Sequence, residues 1–315
     1  KKGIPPPSPF TNAYSKNNNN RRMSRCFSFA SLRDRCLEST FKKSGLRLTT
    51  TGLGDDTVMQ CWVPKLRQDS KPNLLLIHGF GPNAMWHWAD IVARMTRHLN
   101  VYVPYLVFFG ESYTTRPARS EGFQAQCLMR LMEAHSVTSS LSVVGLSYGG
   151  FVAYSMVAQF PAVVEKVVIV SAAVCMEERD IVEGRFNVPS LEVAAELLLP
   201  QTPEKLKELM NMTLTKPPKF VPNCFLYDFI QAMCTEYREE RKELILAIPK
   251  DRKITDIPKI TQVCIAVPSL QAPVTVVSSN SNRASYTTTS VRLCILCSIN
   301  CSDSFGAAHI DNLGR

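Results

Sequence analysis

The sequence predicts an α/β fold: a mostly parallel, doubly wound sheet with an inserted helical cap, its sheet incomplete toward the carboxyl end. Three observations predict it. Apolar strand patterns alternate with amphipathic helix patterns between Leu46 and Val174; helix patterns then follow one another without strands from residue 176 to about 256; and a Gly-x-Ser-x-Gly turn stands where a strand gives way to a helix.

The elements read in order. Leu46 to Thr51 and Thr57 to Val63 flank the Gly54-Asp55 turn as a hairpin closed by Pro64. Asn73 to Ile77 is a continuous apolar run ahead of His78, the mark of a strand covered on both faces. Trp86, Ile91, Val92, Met95 and Leu99 recur at helical spacing. Val101 to Val107, Leu141 to Leu146 and Val164 to Val174 read as strands, and Phe123 to Ala134 and Gly150 to Phe160 as the intervening helices. Glu177 to Glu183, Leu191 to Leu199, Pro203 to Met212 and Phe225 to Ile248 read as cap helices, punctuated by prolines. After Pro258 only Gln262 to Val267 and Val291 to Ile299 remain as strand candidates. The expected organisation is an extension, 1–22, without apolar periodicity; a core, 23–175; a cap, 176–257; and a segment, 258–315, standing in place of the last core strands.

Composition narrows the function. Hydrophobic residues at 45% and charged residues at 20% suit a globular protein able to bury a full core. The net charge of +9 is scattered rather than gathered on one face, which argues against nucleic acid as a partner. No run of about 18 apolar residues is present, so no membrane insertion is expected. Eleven cysteines without a secretory signal fit a reducing compartment; Cys127, Cys175 and Cys234 read as core residues, and Cys294, Cys297 and Cys301 lack a fourth metal ligand. The expected location is cytoplasmic, or chloroplast should residues 1–22, with serines and arginines but no acid, serve as a transit peptide.

The chemistry resides in Gly145-Leu146-Ser147-Tyr148-Gly149. A tight strand-to-helix turn presents the serine, and its neighbours must be small where backbones press together. Ser147 is therefore the expected nucleophile. The oxyanion donors are expected from the backbone N–H groups of Tyr148, opening a helix, and Phe80, in the turn His78-Gly79-Phe80-Gly81. His78, Gly79, Gly81 and Trp86 are expected to line the substrate site, with His78 also ordering its turn.

These residues resemble the α/β-hydrolase superfamily. Leu75-Leu-Ile-His-Gly-Phe-Gly-Pro82, Phe108-Phe-Gly-Glu-Ser-Tyr113, Val143-Val-Gly-Leu-Ser-Tyr-Gly-Gly150 and Leu199-Pro-Gln-Thr-Pro-Glu-Lys205 look in particular like a plant branch akin to bacterial ring-cleavage carbon–carbon hydrolases. The likeness runs from about Met23 to Gln262. It implies hydrolysis of a small-molecule ester, thioester or activated C–C bond through an acyl-serine, without metal or cofactor, or, alternatively, a hydrolase-like protein that binds a ligand without turnover. The triad order implies a histidine after Ser147, and His309 alone stands there, in Gly306-Ala-Ala-His309. Asp303 is the accompanying candidate acid. The expected tryptophan-glycine turn ending in Asp does not follow Gln262, and Tyr105 stands where relatives carry an Asp. The terminus reads as replaced, through altered splicing or a misread gene boundary.

Overall fold

The structure, a computed structural model, describes residues 28–174, 177, 190–214, 217–250, 257–260, 262–267 and 275–277. The chain enters through helix α1 (Phe29–Lys43), capped by the Ser28 hydroxyl, which accepts from Ser31 N–H. This helix was not expected. Its signal is modest: Ser28 as cap, and Leu37 and Phe41 four apart on the buried face.

Strands β1 (Leu46–Gly54) and β2 (Thr57–Pro64) form the expected antiparallel hairpin. Then come β3 (Asn73–Ile77), α2 (Ala84–His98), β4 (Asn100–Pro104), the two-residue β5 (Tyr113–Thr114), α3 (Glu121–Ala134), β6 (Leu141–Leu146), α4 (Tyr148–Gln159) and β7 (Val164–Val170). The sheet order β1-β2-β4-β3-β6-β7-β8-β9, with β5 beside β2, is that of a mixed sheet whose centre, β4 through β8, is parallel. Strands β3, β4 and β6 are buried at every residue, the polar Asn73, Asn100 and Ser142 included, as befits strands covered on both faces in the middle of the sheet. Here β8 (Val263–Val267) pairs in parallel with β7, and β9 (Thr275–Val277) returns antiparallel to it.

The cap contributes α5 (Leu191–Leu198), α6 (Pro203–Thr213), α7 (Asn223–Met233) and α8 (Arg238–Ala247). The single helix expected from Phe225 to Ile248 is two. The break falls at Tyr237, in a left-handed conformation at φ 50°, with its ring 5.8 Å from that of Phe108. Residues 178–183, residues 1–22 and the strand candidate Val291 to Ile299 lie outside the described residues, as does Cys175. Cys127 and Cys234 are buried thiols, each 1% exposed. Among the described residues no helix is long and apolar enough to cross a membrane, and no group of three or more His, Cys, Asp or Glu is placed to hold a metal ion.

Candidate active site

Parallel strands deliver the turns at their carboxyl ends to one rim of the sheet. Two turns meet there. The first follows β6: Ser147 sits between strand and helix at φ 52°, ψ −120°, a conformation that costs a side-chain-bearing residue free energy. Its N–H donates to the Val170 carbonyl at 2.8 Å and its own carbonyl accepts from Gly150 N–H at 2.8 Å, which pins the turn from both sides. The hydroxyl makes no cap bond to α4, and the residue is half-buried.

The second turn follows β3. A Cβ built on Gly79 would stand 2.8 Å from Ser147 Cβ and 3.5 Å from its Oγ. Only a glycine lets the two turns approach so closely. Gly149, in the first turn of α4, is pressed as hard against the end of β3: a Cβ there would meet the Ile77 carbonyl oxygen at 2.4 Å. Phe80 is half-buried, with its ring edge-on to Tyr148 at 4.9 Å and to Phe109 at 5.4 Å. From above, Phe80 packs on Ala195, Leu199 and Ile245 of the cap.

His78 is wholly buried and has no polar atom to spare. Its Nε2 accepts from Leu106 N–H at 3.0 Å, so Nδ1 carries the proton and donates to the Gly79 carbonyl at 2.8 Å. Burial, more than the nearby Arg241 charge, pulls its pKa down to about 4. The ring therefore braces the Gly79 turn as a neutral group. His87 stacks near it at 6.2 Å and is likewise depressed, to about 3, first by burial and then by His78. His98 and His135 end helices α2 and α3, at the opposite, amino-terminal rim of the parallel strands.

Tyr148 is 2% exposed, and its buried hydroxyl has no hydrogen-bond partner among the described residues. Burial raises its phenol pKa well above the usual range. Gly81 takes the left-handed φ of 99° that closes its turn. Trp86 reaches from α2 into the cap, edge-on to Phe229 at 5.8 Å, while its Nε1 donates to Asp34 of α1 at 2.6 Å. The Tyr105 position, where an acid was expected, is bonded through its backbone: its N–H donates to Gln60 O at 2.9 Å, and its carbonyl accepts from Ser112 Oγ at 2.9 Å. His309 and Asp303 lie outside the described residues. Sequence reading passed over Arg241, buried on α8. Its signal is its place on the apolar face, three residues before Leu244.

Comparison with known proteins agrees with this architecture. The chain is 31% identical over 129 residues to an uncharacterized protein of Mycobacterium tuberculosis, covering 41% of this chain and 36% of that one. It is 30% identical over 182 residues to Lipase 1 of Psychrobacter immobilis, covering 54% and 50%. The alignments thus span between about a third and a half of these relatives' lengths. Among solved structures, a candidate lipase of Acinetobacter baumannii superposes with a TM-score of 0.61 at 20% identity, over 73% of this chain and 76% of that one. The expected plant affiliation is corrected, because these curated relatives are bacterial. The 2-hydroxy-6-oxo-6-phenylhexa-2,4-dienoate hydrolase of Rhodococcus sp. strain RHA1 shares the fold at a TM-score of 0.54 and 17% identity, over 70% of this chain and 80% of that one. Residues 72–237, more than half of the chain, match the alpha/beta hydrolase fold family, and the chain belongs to that family.

Proposed function

We propose that this chain is a serine hydrolase that cleaves a small ester, thioester or activated C–C bond through an acyl-serine on Ser147, without metal or cofactor. One observation carries the reading: a serine held at φ 52° on a strand-to-helix turn, with the glycine turn of Phe80 packed against its side chain. In this reading the carbonyl carbon of the substrate is attacked by Ser147 Oγ. The oxyanion is met by the N–H groups of Phe80 and Tyr148, and the proton passes to His309, with Asp303 as its acid. The cap residues over Phe80 exclude water and shape an apolar site for the acyl or ring portion of the substrate.

A fluorophosphonate probe tests this directly. Wild type is expected to be labelled and Ser147→Ala is not, and hydrolysis of p-nitrophenyl butyrate is expected to fall about a thousandfold or more in the variant. Labelling that persists in Ser147→Ala, or a wild type that is never labelled, overturns the reading. The same site, with Phe80 covered by Ala195, Leu199 and Ile245, also suits a second reading, a hydrolase-like protein that binds a ligand without turnover. A capped site that binds a small apolar ligand equally in wild type and Ser147→Ala, with no turnover, would be its result.

A further inference from the structure

Arg241 is a cation 6% exposed, and among the described residues no carboxylate forms an ion pair with it. A buried guanidinium is costly unless its donors are satisfied. Its Nε donates to the Phe108 carbonyl of the core at 2.7 Å, and its Nη1 donates to the Met233 carbonyl at the end of α7 at 2.6 Å. The guanidinium carbon lies 4.4 Å from the centroid of the Phe109 ring. One side chain thus joins two cap helices to one core loop, at a point where Phe108 holds the strained φ of 74°.

The loop leads to the site. The Phe109 ring meets His78 at 4.7 Å, with rings 73° apart, and Phe80 at 5.4 Å, with rings 64° apart. Phe80 in turn meets Tyr148 at 4.9 Å, and Tyr148 is bonded in sequence to Ser147. Edge-to-face rings have a preferred geometry, so a ring fixed by a cation on one side constrains the rings at its edges. We infer that Arg241 is a positioning residue: from the cap it holds the Phe80 turn in place through the Phe109 ring, so that seating of α8 and readiness of the Ser147 turn are one event. This rests on the reading of Ser147 given above. A cap that lifts α8 withdraws the guanidinium from Phe109 and the Phe108 carbonyl together, and the Phe80 backbone N–H loses its support.

The test is a double-mutant cycle on the full chain, read as the rate of Ser147 phosphonylation by a fluorophosphonate at a temperature where every variant is folded. Arg241→Met removes the charge and donors, and Phe109→Leu removes the ring. Each is expected to slow labelling by about tenfold to a hundredfold, and the double variant is expected to be no slower than the worse single one. Arg241→Lys keeps the charge but not the fork, and is expected to fall between; it also serves if Arg241→Met does not fold. Labelling of Arg241→Met at the wild-type rate despite a lower thermal midpoint, or effects that simply multiply, would reduce Arg241 to structural glue and overturn the inference. Should wild type not be labelled at all, the nucleophile reading fails, and the backbone amide resonance of Phe80 decides the rest. It is expected to shift in Arg241→Met, and an unmoved resonance overturns the positioning role.

Discussion

The rim of the sheet and the cap above it are held by different physics. At the rim, steric exclusion sets the geometry: Gly79 abuts Ser147 and Gly149 abuts the Ile77 carbonyl, with backbone as the neighbour in the tightest contacts. The cap has a small core of its own, around Leu206, Leu226, Ile230 and Met233; α8 sends Leu244, and Ile248 after it, into the core of the body, and the rest of the junction is made by discrete side chains. Trp86 meets Phe229, Asp228 accepts from Ala30 N–H at 2.7 Å, Arg241 takes the Phe108 carbonyl and Arg119 pairs with Glu243. Close-packed backbone cannot yield by small steps, whereas a few side-chain contacts can be broken one at a time. The rim is therefore built to be fixed and the cap to be adjustable.

Gly149→Ala puts the first half of that contrast to its hardest test. Helix propensity alone favours alanine over glycine by about 1 kcal/mol in α4. Opposing it, the new Cβ would stand 2.4 Å from the Ile77 oxygen and 2.5 Å from the His78 oxygen, and both belong to backbone. The expected net effect is a loss of about 3 kcal/mol or more, or failure to fold, by urea titration. A variant as stable as wild type would mean that the two turns can part, and the contrast with the cap would disappear.

The same contrast explains what could be read from the sequence. Core strands β3 and β6 were legible to the residue, because burial on both faces writes itself as a largely apolar run, interrupted only by Asn73 at the start of β3 and by Ser142 and Gly145 within β6. The cap helix break was not legible: Cys234-Thr-Glu-Tyr237 contains neither proline nor glycine, and what turns the chain there is the packing of Tyr237 on Phe108, a residue more than a hundred positions away. Gly-x-Ser-x-Gly announced the Ser147 turn, but the ring path from Arg241 to Tyr148 depends on side chains from four separate segments. Helix α1 was missed for a related reason. Its buried face is thin, with Ala30, Leu37 and Phe41 alone, and its place is fixed by Asp34 binding Trp86 and Asn83 rather than by a strong period.

Acid sharpens the comparison further, because the brace of the rim is a histidine. In the folded chain the pKa of His78 is pulled down to about 4, against 6.5 for the free side chain. Between those values the unfolded chain binds the extra proton, so the His78 contribution is intact above about pH 6.5 and is lost as the pH falls toward 4, amounting to about 3 kcal/mol at most. Protonating Nε2 also removes the acceptor for Leu106 N–H, which links acid to the Gly79 turn itself. The expected outcome is a stability that falls over this window in wild type and falls less steeply in His78→Ala, compared by urea midpoints at successive pH values. Equal slopes in the two proteins would remove the rim from the account of acid sensitivity.

The smallest effect is expected at the outer edge of the cap. Arg119 Nε lies 2.6 Å from Glu243 Oε2, yet Glu243 is more than half exposed, with its side chain at 56%. Arg119 keeps other partners without it: its Nη1 donates to the carbonyls of Arg116 and Ala118, and its guanidinium carbon lies 4.5 Å from the Phe108 ring centroid. Water and salt screen such a pair, so Glu243→Gln is expected to cost about 0.5 kcal/mol or less, and nothing measurable in about 0.5 M salt. A loss of more than about 2 kcal/mol would put this contact in the class of buried, networked pairs. In that event the cap edge would be as rigidly held as the sheet rim, and Arg241 could not be the contact on which its seating turns.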